Sequence, residues 1–127
     1  MCNLFVNADS DLWKSKTKSL RISGFVTSIR MENVFWAGLE EIAFRDNMTV
    51  NELISTLWVE SLDAGHDEGN FTSFLRVCAI RYYSLMSAGE VSLSLDKPIF
   101  EHPATEILQR EAERRRQGLP VQAAKAS

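Results

Sequence analysis

The sequence predicts a mainly helical fold with one short extended segment, on three observations. Phe25–Met31 alternates with a period of two, Phe25, Thr27, Ile29 and Met31 on one face and Val26, Ser28 and Arg30 on the other. Two amphipathic stretches, Val34–Arg45 and Val50–Leu62, follow it almost without a break. A third, Phe71–Met86, comes after a polar loop with two glycines. A chain of 127 residues, 45% of them hydrophobic, holds one domain with some length to spare.

Taken in order, Cys2–Val6 is a short apolar patch, Asn7–Ser10 a turn and Trp13–Lys18 a basic arm. Residues 1–18 are therefore read as an N-terminal arm. Ser19–Met31 is extended, rich in β-branched and apolar residues, and interrupted at Ser23-Gly24 by a bend, a bulge or a turn. Glu32-Asn33 breaks the strand, and Asn33 is a candidate N-cap. In the first helix Phe35, Leu39 and Ile42 share a face, with Trp36 and Ala43 beside it. Asp46-Asn47 ends it, because Asn tolerates the left-handed conformation of a C-cap.

Thr49-Val50-Asn51-Glu52 reads as a capping box, and Val50, Leu53, Ile54, Leu57 and Trp58 then form a helical stripe. Asn70 is a candidate cap for the third helix, whose stripe of Phe71, Phe74, Leu75, Cys78, Tyr82, Leu85 and Met86 is wide enough for more than one neighbour. The core domain thus spans 19–87. From Ala88 the composition changes, and 88–127 is read as a partly disordered tail. Thr105–Gln117 has helical spacing with Glu106–Arg110 and Glu111–Arg115 at i,i+4, but too few apolar residues to order itself. No internal repeat is evident.

The net charge is −3, which argues against nucleic acid only if charge is evenly spread. It is not. Between Trp13 and Met31 the charged residues are Lys14, Lys16, Lys18, Arg21 and Arg30, with no acid. From Glu32 to Glu68 acids dominate and Arg45 is the single base. A positive face is built into one stretch.

Other classes find no support. Cys2 and Cys78 lack disulfide or metal-ligand spacing, and Cys78 reads as a small core residue. His66 and His102 read as solvated loop histidines. No base or oxyanion site accompanies a nucleophile, so no catalytic residue, metal or cofactor is expected. No apolar run is long enough for a bilayer and no secretory leader is visible, so the expectation is a cytoplasmic protein with no membrane partner.

A lone strand before two helices would leave its backbone groups unpaired, at on the order of 1–3 kcal/mol each when buried. Pairing with the same strand of a second chain about a two-fold axis is the simplest remedy. That predicts an intertwined homodimer with a core of Ile29, Met31, Phe35, Leu39, Leu53 and Leu57. Its outer face would carry Val26, Ser28 and Arg30, on a two-stranded ribbon sized for the DNA major groove.

Several stretches then carry a resemblance. They are Thr27-Ser28-Ile29-Arg30-Met31-Glu32-Asn33-Val34-Phe35-Trp36, Leu39-Glu40-Glu41-Ile42-Ala43 and Asn47-Met48-Thr49-Val50-Asn51-Glu52-Leu53. This pattern resembles the ribbon-helix-helix superfamily. Lys18-Ser19-Leu20-Arg21-Ile22 and Asn70–Arg76 are similar to a bacterial subfamily of small, predicted DNA-binding members. The resemblance covers roughly Met1–Leu85. It implies base reading by Val26, Ser28 and Arg30, of which Val26 departs from the usual polar occupant. It implies a phosphate clamp at Thr49, Val50 and Asn51, whose donors compete with the capping box. Lys14, Lys16, Lys18 and Arg21 join the phosphate set through the basic run. The function expected is sequence-specific duplex binding by a transcriptional regulator or repressor. Two alternatives stand beside it: an antitoxin-like protein whose tail binds a partner, and an interaction module without DNA binding.

Overall fold

The computed structural model describes residues 3–118. Cys2 and the last nine residues of the expected tail lie outside the described residues. An antiparallel hairpin, β1 (Ser15–Ile22) and β2 (Phe25–Glu32), is followed by α1 (Asn33–Arg45), α2 (Val50–Asp63), α3 (Phe71–Ser87) and α4 (Ala104–Gln117), with short 3-10 turns at Ser10–Trp13, Glu68–Asn70 and Ile99–Glu101.

The hairpin corrects the expectation that β2 has no partner in its own chain. Ser15 pairs with Glu32 and the register runs without slip to Ile22 opposite Phe25. Ser23 and Gly24 form the two-residue turn, with φ of 49° and 85°. Positive φ at both central positions is the signature of a type I′ turn, whose twist matches that of paired strands. The basic arm expected up to Lys18 is therefore largely strand. Within the single chain β2 is thus paired along one edge, and its other edge is open.

Alternation decides which face is buried. Leu20, Ile22, Ile29 and Met31 point inward and join Trp36, Leu39, Ala43, Leu53, Ile54, Phe71, Leu75 and Ala79 in one core. Phe35 and Leu57 are half-buried at its margin. Ile29, Met31, Leu39 and Leu53, expected in a core shared by two chains, are thus buried within a single one. Trp36, not Phe35, is the deeply buried aromatic of α1, and its indole N–H donates to the Lys16 carbonyl at 2.8 Å. Gly38 lets α1 and α3 approach closely, since a Cβ there would lie 3.0 Å from the Ala79 Cβ.

Helix ends follow the sequence in part. Thr49 and Glu52 form the expected capping box. Asn47 takes φ 56°, and the Met48 amide donates back to the Ala43 carbonyl at 2.9 Å, closing α1 as expected. Asn33 is not a cap: its side chain donates to the Asp11 carbonyl at 2.9 Å, tying the first 3-10 turn to α1. Asn70 stands at the N-cap of α3 as expected, but its side chain donates to Asp67 and makes no capping bond.

Beyond α3 the chain folds back on itself. Arg45 is 4% exposed and donates to the carbonyls of Lys97 and Ser92 at 2.9 and 2.8 Å and to the Tyr82 hydroxyl at 3.3 Å. His102 is not free in solvent, because its Nε2 accepts the Ser92 amide at 3.0 Å. α4 is docked by Arg81–Glu111 at 2.6 Å and by Arg110 and Arg114 on Glu90 at 2.6 and 3.2 Å. These tertiary pairs replace the i,i+4 pairs expected within α4.

Candidate nucleic-acid interface

The hairpin has an inner face committed to the core and an outer face left to solvent. Its register places Thr17 opposite Arg30, Ser19 opposite Ser28 and Arg21 opposite Val26. All six of these outer-face residues are exposed. The face is basic, hydroxyl-bearing and free of acid over these three rungs. Among the described residues neither Arg21 nor Arg30 makes a side-chain hydrogen bond or ion pair, so both guanidinium groups are available.

Hydrogen-bond parity adds a second feature. The Asn33 amide donates to the Lys14 carbonyl at 2.8 Å, which makes the 14–33 rung a hydrogen-bonded one. Bonded and non-bonded rungs alternate in an antiparallel pair. The three outer-face rungs are therefore non-bonded, the class with the closer side chains, and Val26, Ser28 and Arg30 turn their backbone groups to the open edge of β2. Beside that edge lies an apolar groove of roughly 570 Å³ lined by Ile22, Phe25, Ile29, Trp58, Leu62 and Phe71 among others.

The expected phosphate contacts fall into different places. Lys14 is exposed and pairs with Asp11 at 2.9 Å. Lys16 is exposed at the open end of the ribbon. Lys18 is turned inward, bonded to Glu40 at 3.0 Å with its ammonium 4.8 Å from the Trp36 ring centre. It does not share the outer face. At the start of α2 the Glu52 amide donates to the Thr49 hydroxyl at 3.1 Å, and Glu52 accepts from Thr49. Thr49 is thereby spent on the cap. The amides of Val50 and Asn51 have no acceptor among the described residues, as expected of a first helical turn.

Thr17 and Ser19 share the outer face and were missed by sequence reasoning. The signal was present: the same period-two alternation runs on both sides of Ser23-Gly24. Glu32 closes the face at the open end. Its carboxyl is held below the usual carboxylate range first by a hydrogen bond from its own backbone, then by Arg76, and less by Arg30. No group of three or more potential metal ligands occurs among the described residues. No helix among them is long and apolar enough to cross a membrane.

Comparison with known proteins agrees with this architecture. Residues 15–83, more than half of the chain, match the ribbon-helix-helix domain, and the match takes in the hairpin and all of α1 and α2. A solved structure, that of an uncharacterized protein from Bordetella pertussis Tohama I, is similar at 39% identity with a TM-score of 0.79, over 95% of this chain and 90% of that one. No curated protein matches. The chain belongs to the ribbon-helix-helix domain family, whose members generally bind DNA.

Proposed function

We propose that this protein binds double-stranded DNA sequence-specifically, laying the outer face of its antiparallel ribbon in the major groove, and that it regulates transcription from the cytoplasm without catalysis. The exposed outer face, free of acid over the three rungs from Thr17–Arg30 to Arg21–Val26, with an unpaired Arg30, carries this reading. Arg30 presents a guanidinium able to pair bidentately with guanine O6 and N7, and Ser28 adds a donor-acceptor hydroxyl. Val26 offers an apolar contact suited to a thymine methyl. Lys14, Lys16 and the free amides of Val50 and Asn51 are the phosphate contacts that position the ribbon.

A homodimer is proposed on separate grounds. The apolar groove beside β2 is open to solvent, with Phe25 77% and Leu62 39% exposed. A second copy seated there buries that surface and brings two ribbons to one operator. Residues 88–117 are engaged with the preceding part of the chain through Arg45 and Arg81, which favours a regulator over a tail free to wrap a partner.

Selection of bound duplexes from a random pool tests the proposal. Wild type is expected to enrich a defined site, with affinity that falls steeply as salt rises. Arg30→Ala is expected to relax the preference at one position. Retention of random sequence by wild type, or no DNA retained at all, refutes it.

A further inference from the structure

A second groove lies between α3 and α4, away from the ribbon's outer face. Val77, Ile80, Arg81 and Ser84 line it from α3, and Glu111, Arg114, Arg115 and Gly118 from α4. Each set has the i, i+3, i+4, i+7 spacing that puts side chains on one helix face. Two helix faces thus border one cleft, and Arg81 spans it, with Nε and Nη2 donating to the two Glu111 oxygens at 3.0 and 2.6 Å. The cleft holds about 730 Å³, within the range of roughly 300–1,000 Å³ usual for small-molecule sites. It shares no lining residue with the apolar groove beside β2, so it is separate from the surface proposed for the second copy.

The cleft combines apolar surface with surplus positive charge. Val77 and Ile80 are 53% and 55% exposed, whereas Leu75 and Ala79 of the same helix are buried. Phe35 adds a half-buried ring, with the Arg76 guanidinium carbon 5.9 Å from its centre. Four arginines line the cleft, Arg76, Arg81, Arg114 and Arg115, against the single acid Glu111. Three of the four are balanced: Arg76 by Glu32, Arg81 by Glu111 and Arg114 by Glu90. Arg115 is exposed and makes no side-chain hydrogen bond or ion pair among the described residues. The surplus is local, since Glu111 is held below the usual carboxylate range first by Arg81 and then by the charges of Arg114 and Arg115.

From one unbalanced arginine beside exposed aliphatic surface, we infer that the α3–α4 cleft binds a small monocarboxylate with an apolar body, such as a medium-chain fatty acid or an aryl carboxylate. The carboxylate pairs with Arg115, whose planar fork suits a bidentate partner. The apolar body covers Val77 and Ile80, removing their surface from water. A single negative charge matches the single cation left over. A phosphate monoester would bring about 1.5–2 negative charges, more than the cleft leaves unbalanced. A nucleic-acid strand is served by aromatic platforms between cations, and here the exposed surface between the arginines is aliphatic. The inference does not depend on the DNA-binding reading.

The test titrates the full-length chain with decanoate and with naphthoate, by calorimetry and by amide NMR shifts. Acetate serves as the head alone and decanol as the apolar body alone. At least one of the two carboxylates is expected to bind saturably and to shift amides of α3 and α4, while acetate and decanol bind more weakly. Arg115→Gln is expected to weaken that binding by about fivefold, the scale of an exposed ion pair. Ile80→Glu sets a like charge on the apolar surface and is expected to weaken it by about tenfold or more. Both residues are exposed, and circular dichroism checks that both variants keep wild-type helicity. Saturable binding by neither carboxylate overturns the inference. So do shifts confined to the groove beside β2, decanol binding as well as decanoate, or folded variants that bind as wild type does. If Arg115→Gln loses duplex retention while carboxylate binding is unchanged, the arginine serves nucleic acid and the inference fails with the DNA reading intact.

Discussion

Arg45 shows how one side chain pins a loop about fifty residues further on in the sequence. It sits in the last turn of α1, where the exposed carbonyl ends of the helix favour a cation. Its guanidinium has no carboxylate partner among the described residues and is held by the carbonyls of Lys97 and Ser92 and the Tyr82 hydroxyl, which in turn donates to Glu41 at 2.6 Å. Nη2 makes no hydrogen bond among the described residues. Arg45→Ala leaves two carbonyls short of a donor and unpins the 92–97 loop. The expected loss is about 1–3 kcal/mol, read as a lower urea midpoint. An unchanged midpoint would show that the loop stays pinned without it. Cys78 belongs to the same scale: burial pushes its thiol up to about 11, so it behaves as a small apolar side chain.

Among the elements, α4 depends most on its neighbours. Ile107 is its one buried residue, and helices of this length need tertiary support. Ion pairs supply that support, and they carry a pH dependence. Glu111 is held below the usual carboxylate range by its hydrogen bonds from Arg81, and Glu90 by Arg110 and then Arg114. Both are depressed carboxylates. Their contribution is complete above the ordinary carboxylate pKa and is lost as pH falls through the lowered folded values. Amide exchange in Ala104–Gln117 is therefore expected to accelerate below about pH 4, ahead of exchange in α1 and α3. Equal protection in all three helices down to global acid unfolding would contradict this.

On the scale of the whole molecule, charge and shape are segregated. The ribbon presents its basic outer face on one side, while the acids of α1 and α2 lie elsewhere, so a net charge of −3 coexists with a surface suited to phosphate. The apolar groove beside β2 adjoins that ribbon. Leu62→Glu places a charge in it without touching the buried core. Sedimentation is expected to show wild type as a dimer and the variant as a monomer with unchanged helicity. A wild type that sediments as a monomer at tens of micromolar would refute the dimer.

Local physics is legible from sequence alone. The alternation of Phe25–Met31, the capping box at Thr49 and Glu52 and the left-handed Asn47 each depend on residues within a few positions of one another, and each stands in the structure. The four helices lie within a residue or two of where their periodicity predicts them. Contacts across sequence distance were decided only by tertiary structure. Ser23-Gly24 was ambiguous until the strand on its far side paired back, which gave β2 a partner along one edge within its own chain. That pairing also turned Lys18 inward to Glu40 while bringing Thr17, Ser19 and Arg21 onto the face of Arg30. Asn33 holds a cap-forming side chain, but a partner 22 residues away, the Asp11 carbonyl, claimed it. Periodicity assigns a residue to a face; which elements that face meets is set by the packing of the whole chain.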